Sequence, residues 1–233
     1  ANVQALTTAQ ISVIETADIA ALKTSLIAAL TTQQVRSGLS TAQLEALNTR
    51  QIQSLSTAQI VVLSTDQVGA IETTDIAALT TAQIAALTTD QIRNGVVTDQ
   101  VAALGTRQIQ ALTSAQTLAL TTDDIIALSS DQIRALTTTQ ISALSTTQVS
   151  AIETGDVGAL KTAQVSALTT RQIQSGLNSA QVVSLNSSQI QALTTAQVQA
   201  LTTTQLAAIL TDDIVALKTS QVVALTTAQI RSG

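Results

Sequence analysis

Residues 79–92 read Leu79-Thr80-Thr81-Ala82-Gln83-Ile84-Ala85-Ala86 and then Leu87-Thr88-Thr89-Asp90-Gln91-Ile92. The second run restarts the first without a gap. Laid out from Leu6, 28 such octads fill the chain almost to its last residue. Position 1 is always Leu, Ile or Val, and position 3 is always Thr or Ser. Position 5 is Gln or Asp except at Leu26, and position 6 is aliphatic except at Thr117. Positions 2, 4 and 7 vary.

A continuous helix cannot carry this pattern. Eight residues at about 3.6 per turn overshoot two turns by roughly 80°, so the apolar stripe would spiral and face no single partner. The chain must bend once per octad. As a helix start the motif reads in order: Thr at position 2 is an N-cap, and Gln at position 5 falls at N3 and completes a capping box. Leu at position 1 and Ile at position 6 then form a hydrophobic staple. Each octad becomes a helix of about six residues, roughly 9 Å long, too short to be stable without neighbours.

Position 2 complicates this frame. It is Thr, Ser, Asn or Gly in 20 octads, but Glu at Glu15, Glu72 and Glu153 and Lys at Lys23, Lys161 and Lys218. Position 3 never departs from Thr or Ser, so it too is a candidate N-cap. The rival architecture is a β-solenoid: positions 1, 3 and 5 alternate with exposed positions 2 and 4, and Thr, Ile and Val favour strands. Against it stand the helix formers Ala, Gln and Leu. Turn residues are also scarce, with 8 Gly and no Pro, where a β-solenoid needs frequent corners. The fold expected is an all-α solenoid of very short helices.

Three octads carry one extra residue, each with a Gly: Val35-Arg36-Ser37-Gly38-Leu39, Ile92-Arg93-Asn94-Gly95-Val96 and Ile173-Gln174-Ser175-Gly176-Leu177. A fourth such end is Ile230-Arg231-Ser232-Gly233. A polar residue, Gly, then an apolar residue predicts a left-handed glycine just past each helix. Gly38 to Gly95 is 57 residues, as is Gly176 to Gly233, while Gly95 to Gly176 is 81, or 57 plus three octads. The pairs Asp18 and Asp75, Asp156 and Asp213, and Lys161 and Lys218 repeat the 57-residue spacing. The chain divides into the tail of one block (1–38), a full block (39–95), an enlarged block (96–176) and another full block (177–233), together one continuous repeat domain. An insertion of three octads that leaves the pattern intact suggests three octads per turn of the solenoid.

Composition closes many functional classes. There is no His, Cys, Met, Pro, Phe, Tyr or Trp. The usual zinc, copper and haem ligands are therefore missing, as are the commonest nucleophile–base pairs. The net charge of −5 and 11% charged residues argue against a nucleic-acid partner, which wants a basic stripe and stacking aromatics. No apolar run approaches the length of a bilayer span, so no membrane insertion is expected. No catalytic, cofactor-binding or metal residue is assigned. Asp123-Asp124 and Asp212-Asp213 are adjacent carboxylates, but at positions 4 and 5 they fit a first helical turn, where acids suit the dipole. Arg50, Arg107 and Arg171 at position 4, and Arg36, Arg93, Arg134 and Arg231 at position 7, read as solvated. The regular Thr hydroxyls offer an ice- or surface-binding array unless they cap helices.

Stretches such as Leu55-Ser56-Thr57-Ala58-Gln59-Ile60 and Leu225-Thr226-Thr227-Ala228-Gln229-Ile230 resemble the short-helix repeats of the mesothelin and stereocilin family. That resemblance implies a superhelix of short helices in an adhesive or matrix role at cell surfaces. The Thr- and Ala-rich tandem style also looks like giant bacterial surface or secreted proteins. The chain begins in mid-repeat, which points to an excerpt of a longer protein. The expected function is a structural segment (spacer, stalk or self-assembling fibre) of a surface or secreted protein, not an enzyme. Self-association, end to end, is the expected partnership. A protein- or glycan-binding solenoid face is the alternative.

Overall fold

The structure, a computed structural model, describes residues 3–232. Among them the regular elements are all helical and no strand occurs, so the β-solenoid is not adopted. Each octad makes one helix of four to seven residues, as in Thr81–Ala86 or Thr138–Ala143. The chain forms two compact units, Ala1–Leu120 and Thr121–Gly233.

The corner between helices needs no special residue. Leu22 closes Thr16–Ala21 at φ −65°, ψ 145°, and Lys23 opens Thr24–Ala28 at φ −64°, ψ 144°. Two successive extended residues, at positions 1 and 2, redirect the chain. The position-1 amide still bonds three residues back, as Leu22 N–H does to Ile19 O at 3.1 Å. Any L-residue tolerates this geometry, which is why the octad dispenses with Pro and mostly with Gly.

Within each unit every helix packs on the one three octads later. In the first unit Thr8–Ser12, Thr32–Gly38, Thr57–Val61, Thr81–Ala86 and Thr106–Ala111 form one such column. In the second, Thr122–Ala127, Thr146–Ala151, Thr170–Ser175, Thr195–Ala200 and Thr219–Val223 form another. Three octads thus make one turn, the number suggested by the inserted 24 residues. Positions 1 and 6 fill the interior: Ile52, Ile60 and Ile84 are at most 1% exposed, and Leu47, Leu55 and Leu63 at most 4%. Each such side chain contributes about 1.5–3 kcal/mol of burial, which replaces the stability that six-residue helices lack alone. The exception at position 6, Thr117, is fully buried and donates its hydroxyl to Thr113 O at 3.0 Å.

The glycines correct the sequence reading. None is left-handed, because no described residue has a positive φ. Gly38 ends the helix Thr32–Gly38, and Gly95 ends a single wide π-type turn, Gln91–Gly95. The amides of Leu39, Val96 and Leu177 each bond five residues back, to the carbonyls of Gln34, Gln91 and Gln172. The extra residue is therefore taken up as a bulge at the helix end. Glycine is needed there for closeness to the preceding turn. A Cβ on Gly95 would lie 3.0 Å from Thr65 Cα, and one on Gly38 3.2 Å from Ile11 Cβ. The fourth such end, Gly233, lies outside the described residues.

Two alanine substitutions separate packing from conformation. Gly95→Ala should lower stability by about 1–3 kcal/mol through overpacking against backbone. Gly155→Ala, where nothing lies within 4 Å of the added methyl, should be level or gain up to about 1 kcal/mol from helix propensity. Chemical denaturation of both decides; equal losses would remove the packing explanation.

Candidate functional site

The interior of each turn holds a column of buried carboxamides. Position 2 proves to be the N-cap. Thr80 is extended at φ −68°, ψ 157°, and its Oγ1 accepts Gln83 N–H at 3.2 Å, while Gln83 Oε1 accepts Thr80 N–H at 2.8 Å. The second of these bonds uses only position-2 backbone. It persists where position 2 has no capping side chain: Val97, Gly105, Lys161 and Lys218 still donate N–H to the Gln three residues on, at 2.7–3.0 Å. Variation at position 2 is tolerated for that reason.

The other end of each Gln reaches the turn before. Gln83 Nε2 donates to Ile52 O at 3.2 Å and Leu55 O at 2.8 Å. Gln67 does the same to Val35 and Leu39, Gln172 to Ile141 and Leu144, and Gln229 to Val198 and Leu201. The acceptors are the position-6 and position-1 carbonyls of an earlier helix end, which have no intrahelical partner of their own. One side chain therefore starts its own helix and finishes another about 28 residues earlier. The separation to the position-1 carbonyl is 28 for Gln83 and 29 for Gln108, whose span crosses the nine-residue octad ending at Gly95. These Gln side chains are at most 5% exposed. No buried described side-chain nitrogen or oxygen lacks a partner.

Asp at position 5 uses a different rung. Asp75 Oδ1 accepts the Thr49 hydroxyl at 2.6 Å, and Asp213 accepts that of Ser187 at 2.6 Å. Asp156 accepts that of Ser130 in the same way. Each donor is at position 3, 26 residues earlier. The position-3 side chain is thus at N1, exposed or half-buried, and only these pairs give it an inter-turn role; nothing else in the structure explains its constancy.

The adjacent carboxylates do not converge. Asp124 is buried and caps with Thr121, while Asp123 is exposed. Asp213 faces Ser187, while Asp212 is exposed. Arg36, Arg50, Arg93, Arg107, Arg134, Arg171 and Arg231 are all exposed. Among the described residues no group of three or more His, Cys, Asp or Glu could hold a metal ion. No described helix is long and apolar enough to cross a membrane. Concavities are open grooves between stacked helix starts, such as one of about 470 Å³ lined by Thr80, Thr81, Thr106 and Arg107.

With this geometry in view, the repeat can be compared with known proteins. The model of the ALTTAQ repeat matches residues 11–49, 37–71, 68–94, 119–151, 149–187 and 175–203, well over half of the chain. The chain belongs to the ALTTAQ repeat family. The Thr of ALTTAQ are positions 2 and 3 here, and its Gln is the buried position 5. No curated protein matches the chain in sequence. Among solved structures, the leucine-rich repeat-containing protein LegL7 from Legionella pneumophila aligns over 82% of this chain and 78% of that one, at 10% identity and a TM-score of 0.24. A score that low carries no argument about fold or function.

Glutamate at position 5 would keep the cap acceptor and lose the inter-turn donor. Gln83→Glu should therefore destabilise the ALTTAQ array by about 1–3 kcal/mol, because it leaves buried carbonyls unpaired and buries a charge. Gln199→Glu, at an exposed position, should stay within about 0.5 kcal/mol. Urea melts of the two variants compare them directly, and matching midpoints would refute a ladder role for Gln83.

The Asp rung is tested by a double-mutant cycle. Thr49→Val should cost about 1–2 kcal/mol alone. The loss should shrink when Asp75→Gln is added, since Gln at that position regains donors for the preceding turn. Additive losses would show that Thr49 and Asp75 act independently.

Proposed function

We propose that this ALTTAQ array is a structural spacer, a segment whose length rather than any reactive group is its product, within a surface or secreted protein. The carrying observation is that each turn is joined to the next by the same two side chains, the position-5 Gln and the position-6 aliphatic. A unit joined only to its neighbours can be added or removed without redesign of the rest. Composition supports this over a binding module, because the aromatic anchors that dominate protein-binding hot spots are missing from the chain. The hydroxyls at position 2 are engaged in capping, which removes them from any ordered surface array. The weakly charged Thr- and Ala-rich composition, like that of giant bacterial surface proteins, favours a place outside the cell or on its surface.

Duplicating residues 136–159, three whole octads in the second unit, tests the spacer reading. The enlarged chain should keep its helical circular dichroism and melt no lower than the parent. The added turn should lengthen that unit by about 8–10 Å, one helix-packing distance, as read by small-angle scattering. Loss of cooperative unfolding, or a chain no longer than before, would refute the modular reading.

A further inference from the structure

The contact between turns has two unlike faces, and the described residues leave one of each uncovered. In interior turns the position-6 side chains Ile84, Ile141 and Val165 are at most 1% exposed. In the last turn the same position is open, with Val222 49% and Ile230 68% exposed. The position-1 carbonyls of Ile209, Leu217 and Leu225 in that turn accept no hydrogen bond from any described residue, whereas their interior counterparts at Leu55 and Leu144 accept from Gln Nε2. The first turn presents the converse. Gln10 is exposed, its Oε1 accepts Thr7 N–H at 2.9 Å, and its Nε2 reaches no described acceptor. Leu26, the one apolar residue at position 5, is half-buried in the same turn.

We infer that the first-turn face of one copy of this chain docks on the last-turn face of a second copy, and that the contact repeats the one between consecutive turns. The inference rests on the spacer reading above and extends it from added octads to added chains. Occupancy by a second copy follows from continuity. Carboxamide donors and an apolar position-5 side chain on one face meet free carbonyls and uncovered aliphatics on the other. Neither set complements itself, so the contact is head-to-tail and, repeated, open-ended.

The experiment uses the 233-residue chain and two blocked forms. The tail-blocked form carries Val222→Glu and Ile230→Glu; the head-blocked form carries Gln10→Glu and Leu26→Glu. All four positions are exposed or half-buried, and circular dichroism melts check that each form stays folded. Sedimentation velocity of the unaltered chain should show mass rising with concentration beyond a dimer. Each blocked form alone should be monomeric, with association weakened roughly tenfold or more by an uncompensated charge in the contact. Mixed, the two should give a 1:1 dimer and nothing larger, because one intact head and one intact tail remain. A head-blocked form that still dimerises would indicate tail-to-tail pairing and overturn the inference. An unaltered chain that is helical yet monomeric at its highest soluble concentration would also overturn it, leaving the spacer reading in place. Loss of helicity in the unaltered chain would instead overturn the spacer reading itself. Should a blocked form unfold, Val222→Ser with Ile230→Ser, or Gln10→Ala with Leu26→Ala, takes its place, and the concentration series on the unaltered chain stands regardless.

Discussion

The carboxamide of a buried glutamine has an acceptor end and a donor end, and this fold depends on both being used at once. Oε1 takes the backbone N–H that opens its own helix; Nε2 supplies the carbonyls that end a helix in the preceding turn. Backbone hydrogen bonds within each unit span only three to five residues. Cohesion between turns therefore falls to side chains. A capping box alone accepts Glu or Gln, yet position 5 holds 22 Gln, 5 Asp, one Leu and no Glu. Only the need for a donor explains that exclusion.

Burial reinforces the requirement. An unpaired amide in an aliphatic interior costs about 1–3 kcal/mol, so a misplaced turn would forfeit two donors and two acceptors per octad as well as its packing. Aliphatic residues that differ only in shape would permit slippage between turns. The polar rung sets the register, and the nine-residue octads show how closely it is held. Their extra residue is absorbed in a π-type turn, and the rung lengthens from 28 to 29 residues without moving to another carbonyl.

Much of this was legible in the sequence because it is local. The octad period, the helix start and the aliphatic interior all involve residues within one unit, and the size of the 24-residue insertion carried the number of units per turn. The choice between positions 2 and 3 as N-cap was not legible, since Thr serves at either. Invariant Thr8 and Thr16 mark N1, whereas variable Thr7 and Glu15 mark the cap. The glycines misled for a physical reason. A left-handed C′ and a close approach to a neighbouring helix both select Gly, and only the second involves a residue such as Thr65, 30 positions away. The inter-turn bond of Gln was hidden because its acceptors are backbone carbonyls, which leave no residue type to covary with. The missing Glu was the one readable signal. The Asp75 rung left a fainter one, a Thr 26 residues upstream.

The duplicated block and the coil are out of step, and this bears on what selection has acted upon. Gly38 and Gly95 are seven octads apart in the first unit, as are Asp156 and Asp213 in the second. Seven is not a multiple of three, so copies of a feature within a unit fall in neighbouring columns instead of one above another. Repeating such a block cannot assemble a continuous binding stripe, because each copy turns its features by a third of the coil. It does preserve every contact between a helix and the helix three octads away, because all octads present the same rung. A history of duplication that keeps the rung and scatters the surface features fits a molecule valued for extent. A ligand-binding face would instead favour blocks of six or nine octads, which return their features to the same side.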